Sequence, residues 1–213
     1  MKTLMIVAVI ALQGCASVWE FAPSPDDYVD LRDDASHTFC RDGEVSDIRL
    51  DVAVKFSCTD EGPSLVQLDL DKSLEVHLVE MSEVQESICP DDTVRRYSSI
   101  NGNILIDCSG KGRSLITVPP FRSLSSQLRY IDDLKAICPD AFSLRSIKYP
   151  YVSRRVAEFN CGSATYKLQS SGLRHVQDLD AAVCGLEGFQ SLKYNLNNAE
   201  YVCKSGETGV VGI

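Results

Sequence analysis

Eight of the nine cysteines in this 213-residue chain fall into four pairs at a nearly constant spacing. The first member of each pair stands at Cys40, Cys89, Cys138 and Cys184, intervals of 49, 49 and 46 residues, and the second at Cys58, Cys108, Cys161 and Cys203. A self-similar period of this length indicates one supersecondary unit used several times. A unit of that size buries too little apolar surface to stand alone, whereas a bridge closing a loop of ~18 residues adds roughly 3 kcal/mol. Pairing within the period joins Cys40 to Cys58, Cys89 to Cys108, Cys138 to Cys161 and Cys184 to Cys203. The alternative joins the second cysteine of one unit to the first of the next, and strands Cys40 and Cys203 unless the array closes.

The residues around the cysteines show two periodicities. Positions four and two before each second cysteine are apolar (Val54 and Phe56, Ile104 and Ile106, Ala157 and Phe159, Ala199 and Tyr201), the alternation of a half-buried strand. Gly62, Gly110, Gly162 or Gly206 follows, then a second apolar stretch, which reads as a hairpin. Further apolar positions at Ile48, Tyr97, Ile147 and Leu192 leave room for a third short strand. Before the first cysteines the apolar residues recur every three to four, as in Leu124, Leu128, Ile131, Leu134 and Ile137, or Leu173, Val176, Leu179 and Val183, so amphipathic helices are predicted there. The first helix opens with Ser24-Pro25-Asp26-Asp27, a capping hydroxyl followed by a first-turn proline and carboxylates. The second, Leu74 to Ile88, also alternates like a strand at Leu74–Leu78. The predicted class is α+β, four tandem disulfide-stapled helix-plus-β-hairpin repeats over 26–71, 72–121, 122–171 and 172–213. A curved row and two lobes both satisfy the pattern.

The N-terminus carries Lys2 and an apolar run from Leu4 to Leu12, about half of the ~20 residues a membrane-crossing helix needs, which suits a signal peptide over 1–14. Leu12-Gln13-Gly14-Cys15 resembles the lipobox of bacterial lipoproteins, with Gln13 a departure from the usual small or hydroxyl residue. That resemblance implies acylation of Cys15, a lipidated tether over 15–25 and, from Ala16 rather than aspartate after the cysteine, an outer-membrane address in the cell envelope. An ordinary signal cut after Ala16, giving a secreted or periplasmic protein, is the alternative. Removing Cys15 from the count leaves an even number, as four bridges in an oxidising compartment require.

Catalytic chemistry is poorly provided for. His37, His77 and His175 stand at unrelated offsets from their cysteines, and no hydrolase, phosphate-binding, dinucleotide or zinc-protease motif occurs. The expectation is therefore a protein that is not an enzyme, with no catalytic residue, metal or cofactor. A net charge of -9 argues against nucleic acid as a partner. The charge is uneven: residues 16–92 hold 20 acidic and 5 basic side chains, residues 93–213 hold 10 and 15. That unevenness suits either a solvated acidic surface or steering toward a cationic partner. The third unit is longer between its cysteines, and the extra residues bring Tyr149, Tyr151, Arg154 and Arg155 to one hairpin tip. Such a composition suits a protein contact, or a bulged tip whose tyrosines lie on the core. Tyr201-Val-Cys-Lys-Ser-Gly206 resembles the Tyr-x-Cys strand and Ser-Gly turn of the membrane-bound c-type lysozyme inhibitors, but that family's motif tyrosine would fall at Gly209. The sequence thus suggests a lipid-anchored envelope protein that binds or assembles other proteins, with an inhibitor of a lysozyme-like enzyme as the alternative.

Overall fold

The computed structural model describes residues 25–40, 43–59, 62–138, 140–151 and 154–212. The predicted signal peptide, Cys15, the tether up to residue 24 and the Ser24 cap lie outside the described residues, and Pro25, placed at the end of the tether, opens the first helix. The chain runs α1 (Pro25–Phe39), β1 (Val45–Leu50), β2 (Ala53–Cys58), β3 (Leu65–Asp69), α2 (Leu74–Ile88), β4 (Val94–Ile100), β5 (Asn103–Cys108), β6 (Gly112–Thr117), α3 (Leu124–Ile137), β7 (Phe142–Tyr151), β8 (Arg154–Cys161) and β9 (Ala164–Gln169). A broken helix with α4 (Val176–Leu179) at its centre follows, then β10 (Phe189–Tyr194), β11 (Asn198–Cys203) and β12 (Thr208–Gly212).

All twelve strands belong to one sheet and lie in it in chain order. Neighbours are antiparallel except at three joins, β3 with β4, β6 with β7 and β9 with β10, which are parallel. A parallel join needs a crossover, and the connection supplies it each time: α2, α3 and the broken helix. The class is therefore mixed α/β, and the hairpins predicted from the sequence are each extended by a third strand into a common sheet.

The helices form one layer, α1 beside α2 and α2 beside α3, over one face of the sheet. Alternation decides which strand residues meet them. Val54 and Phe56, Val66 and Leu68, Ile104 and Ile106, Ala157 and Phe159 are buried in a single hydrophobic cluster with Ala35 and Phe39 of α1, Val84 and Ile88 of α2, and Leu128, Ile131 and Leu134 of α3. Aromatic rings thread the C-terminal half of this layer, Phe142, Phe159, Tyr166 and Phe189 in succession with centroids 5.2–6.3 Å apart. Ser73 and Ser123 cap α2 and α3 by accepting from the amides of Val76 and Ser126. Leu74–Leu78, which alternated like a strand, is helical from that cap onward.

Four disulfides close the structure: Cys40–Cys58, Cys89–Cys108, Cys138–Cys161 and Cys184–Cys203. Each ties the end of a helical segment, the residue just after it for Cys40, Cys89 and Cys138 and its last residue for Cys184, to the middle strand of the three that follow.

The fourth helix departs from expectation. In place of a regular amphipathic helix there is a 3-10 turn (Leu173–His175), the single turn α4, and a π turn (Asp180–Cys184). Two local causes are visible. Gly172 offers no capping side chain, and the span from the end of β9 to Cys184 is five or six residues shorter than the spans from β3 to Cys89 and from β6 to Cys138. The wider π turn re-phases the backbone so that Cys184 still reaches Cys203.

Candidate interaction surfaces

The face of the sheet away from the helices presents a surface that runs across all twelve strands. Its central row can be followed through the registers across every strand: Arg49, Lys55, Gln67, Ser98, Leu105, Leu115, Ser146, Glu158, Lys167, Lys193, Glu200 and Val210. A row of this kind places one side chain about every 4.8 Å. Ion pairs dress it, Arg95–Asp107 at 3.0 Å, Arg145–Glu158 at 3.5 Å and Lys193–Glu200 at 3.0 Å.

Charge separates by layer as well as along the chain. The strands carry 11 basic and 5 acidic side chains, the helical segments 4 basic and 13 acidic. The uneven halves noted in the sequence arise in part because α1 and α2 hold most of that acid. Sorting charged residues by the periodicity of their segment, rather than by position along the chain, would have exposed this.

The hairpin tip between β7 and β8 divides its candidate contact residues. Arg154 is exposed, whereas Tyr149 and Arg155 turn toward α3. The Tyr149 hydroxyl accepts from Gln127 Nε2 at 2.7 Å and from Arg155 Nε at 2.9 Å. The Arg155 guanidinium lies 4.4 Å from the centre of the Tyr130 ring, close enough for a cation–π contact. This places Tyr149 on the core side, one of the two arrangements the sequence allowed. The Tyr151 side chain lies outside the described part of the structure.

Among the histidines, His37 and His175 are exposed, and His175 stacks on Tyr194. His77 is fully buried under α2, its Nε2 3.1 Å from the Asp69 carbonyl and its Nδ1 3.6 Å from Glu80 Oε2. Glu80 also pairs with Lys72 at 2.7 Å and accepts from Ser99 at 3.4 Å. Here a buried imidazole and a neighbouring carboxylate join α2 to β3 and β4. Among the described residues, no group of three or more His, Cys, Asp or Glu side chains is placed to hold a metal ion, and no helix is long and apolar enough to cross a membrane.

Gly209, where the lysozyme-inhibitor motif has tyrosine, lies directly across from Tyr201, and the Tyr201 ring covers it. A side chain at 209 would need the space that ring fills.

Burial pushes the phenols of Tyr97, Tyr130 and Tyr166 above the usual tyrosine value of 10.0. Glu80 adds to the shift at Tyr97, and the Arg155 guanidinium opposes it at Tyr130. While the phenols are neutral in both states, folding is not penalised. Above pH 10.0 the unfolded chain ionises first, so stability falls as pH rises. In an alkaline titration followed by tyrosinate absorbance, three of the eight tyrosines are expected to titrate late and together with unfolding. A smooth titration of all eight near their ordinary value would contradict the packing described here.

Comparison of the chain with family models, with curated proteins and with solved structures gives no match.

Proposed function

We propose that this chain is a non-catalytic, lipid-anchored cell-envelope protein that serves as a protein-binding or assembly module, built from four copies of one disulfide-stapled unit. The observation that carries the reading is the continuous sheet, helix-covered on one side and presenting on the other a row of twelve side chains, nine of them polar or charged. Extended surfaces from stacked units suit recognition of other proteins. The unit reading is supported by the order of helix and three strands before each parallel join, and by bridges that each close within one cysteine period. Bridges of this kind belong to an oxidising compartment, which agrees with export. Cys15 is the acylated residue in this reading, the outer membrane its address, and Arg154 at the β7–β8 tip a contact residue.

Two measurements test the proposal. Mass spectrometry of the mature protein should find Cys15 acylated at its N-terminus. Crosslinking in intact envelopes followed by pull-down should recover a protein partner. An unmodified N-terminus beginning after Ala16 removes the anchor, and envelopes that yield no crosslinked partner remove the module. Lysozyme clearing should be unaffected by a micromolar excess of the protein, since the inhibitor motif's tyrosine is missing at Gly209.

A further inference from the structure

The sheet has two outer strands, β1 and β12, whose far edges are unpaired among the described residues. Natural sheets usually block such edges with charge, proline or a distorting bulge. β12, Thr208-Gly-Val-Val-Gly212, contains neither charge nor proline, and Val210 is 65% exposed. β1 does carry two charged residues, Asp47 and Arg49, and a bulge between Ser46 and Arg49. Yet β4, β7 and β10 also carry a register shift against their own hairpin partners, between Val94 and Arg96, Leu144 and Ser146, and Phe189 and Ser191, and each still pairs outward with the strand before it through residues that follow that shift. A shift of this kind therefore does not by itself close an outer edge, and Arg49 and Leu50 follow the one in β1.

The three internal joins specify what such an edge accepts. Each is parallel, and in each the central-row residue of the earlier strand faces that of the later: Gln67 and Ser98, Leu115 and Ser146, Lys167 and Lys193. Val210 holds that row position in β12 through Glu200, and Arg49 holds it in β1 through Lys55. We infer that β12 of one copy pairs in parallel with β1 of a second copy, with Val210 opposite Arg49. Gly209 and Val211 then fall opposite Ile48 and Leu50, so the apolar alternation continues across the junction. The contact is head-to-tail, and repeating it extends one sheet through successive copies. The inference rests on the assembly-module reading and deepens it by naming a second copy of the chain as the partner.

Cysteine pairs placed at the predicted register test it in the full-length protein. Chains carrying Arg49→Cys and Val210→Cys, expressed together in envelopes and oxidised, should give a band of dimer size on non-reducing gels. Either variant alone should give none, and one chain carrying both should give a ladder. Arg49→Cys with Thr208→Cys, out of register, should crosslink at least tenfold less. Val210→Lys sets a cation opposite Arg49 at an exposed edge position, and should weaken self-association in sedimentation while leaving the melting temperature unchanged. Absence of the mixed dimer from chains with native melting overturns the inference, as does equal crosslinking in both registers. Capture of a different protein by Val210→Cys overturns it while sparing the module reading. Failure to capture any protein, together with envelopes that show no partner, removes both.

Discussion

Phe159→Ala should destabilise the protein by about 3–5 kcal/mol, the range for removing a fully buried phenylalanine and leaving a cavity. Phe159 is fully buried at the centre of the ring succession, 5.6 Å from Phe142 and 5.2 Å from Tyr166. Both neighbours lie on adjacent strands, so truncation removes aromatic contact on two sides as well as apolar burial. Collapse into the space is resisted because β8 is hydrogen-bonded to β7 and β9 along its length. Urea denaturation measures the loss, and Phe159→Leu, which refills most of the volume, should recover more than half of it. A loss under about 1 kcal/mol for the alanine variant would mean that the site repacks freely, contrary to the cavity cost expected of a close-packed core.

Removing the Cys89–Cys108 bridge by the double substitution Cys89→Ala and Cys108→Ala should cost about 3 kcal/mol. The enclosed loop spans 19 residues, and releasing one of that length returns roughly this much chain entropy to the unfolded state. Both cysteines are almost completely buried, so lost packing adds to the entropic part. The melting temperature should fall by about 6–12 °C at the ~2–4 °C per kcal/mol typical of chains this size. Because the bridge joins α2's end to β5 and crosses to no other segment, amide exchange should rise most in α2 and β4 to β6. Uniformly faster exchange along the whole sheet would show instead that the bridges act globally.

Local features were the legible ones. The alternation before each second cysteine marked β2, β5, β8 and β11, and the three-to-four spacing from Leu124 to Ile137 marked α3 at both ends. Those signals depend on which side of a single element is wet. The parallel joins were not legible, because they pair strands about thirty residues apart and no local pattern records which edge meets which. The broken fourth helix kept its apolar spacing at Leu173, Val176, Leu179 and Val183, but the missing cap at Gly172 and the shortened span counted for more. Nothing in the sequence set His77 apart from His37 and His175. Its burial follows from its place above the sheet, beside the Asp69 carbonyl. The polar row was hidden for the same reason: twelve residues from Arg49 to Val210 become neighbours only once the sheet is assembled.

Tension applied through the N-terminus would reach α1 first and then meet the Cys40–Cys58 bridge. With every bridge closed locally, a pulled chain can release only what lies outside the enclosed loops, and each bridge withholds the 18–23 residues it spans. Stretching would proceed in short steps of limited length, separated by staples that force alone does not open. The molecule should behave under load as a stiff strap, and reducing its sulfurs should turn it into an extensible one.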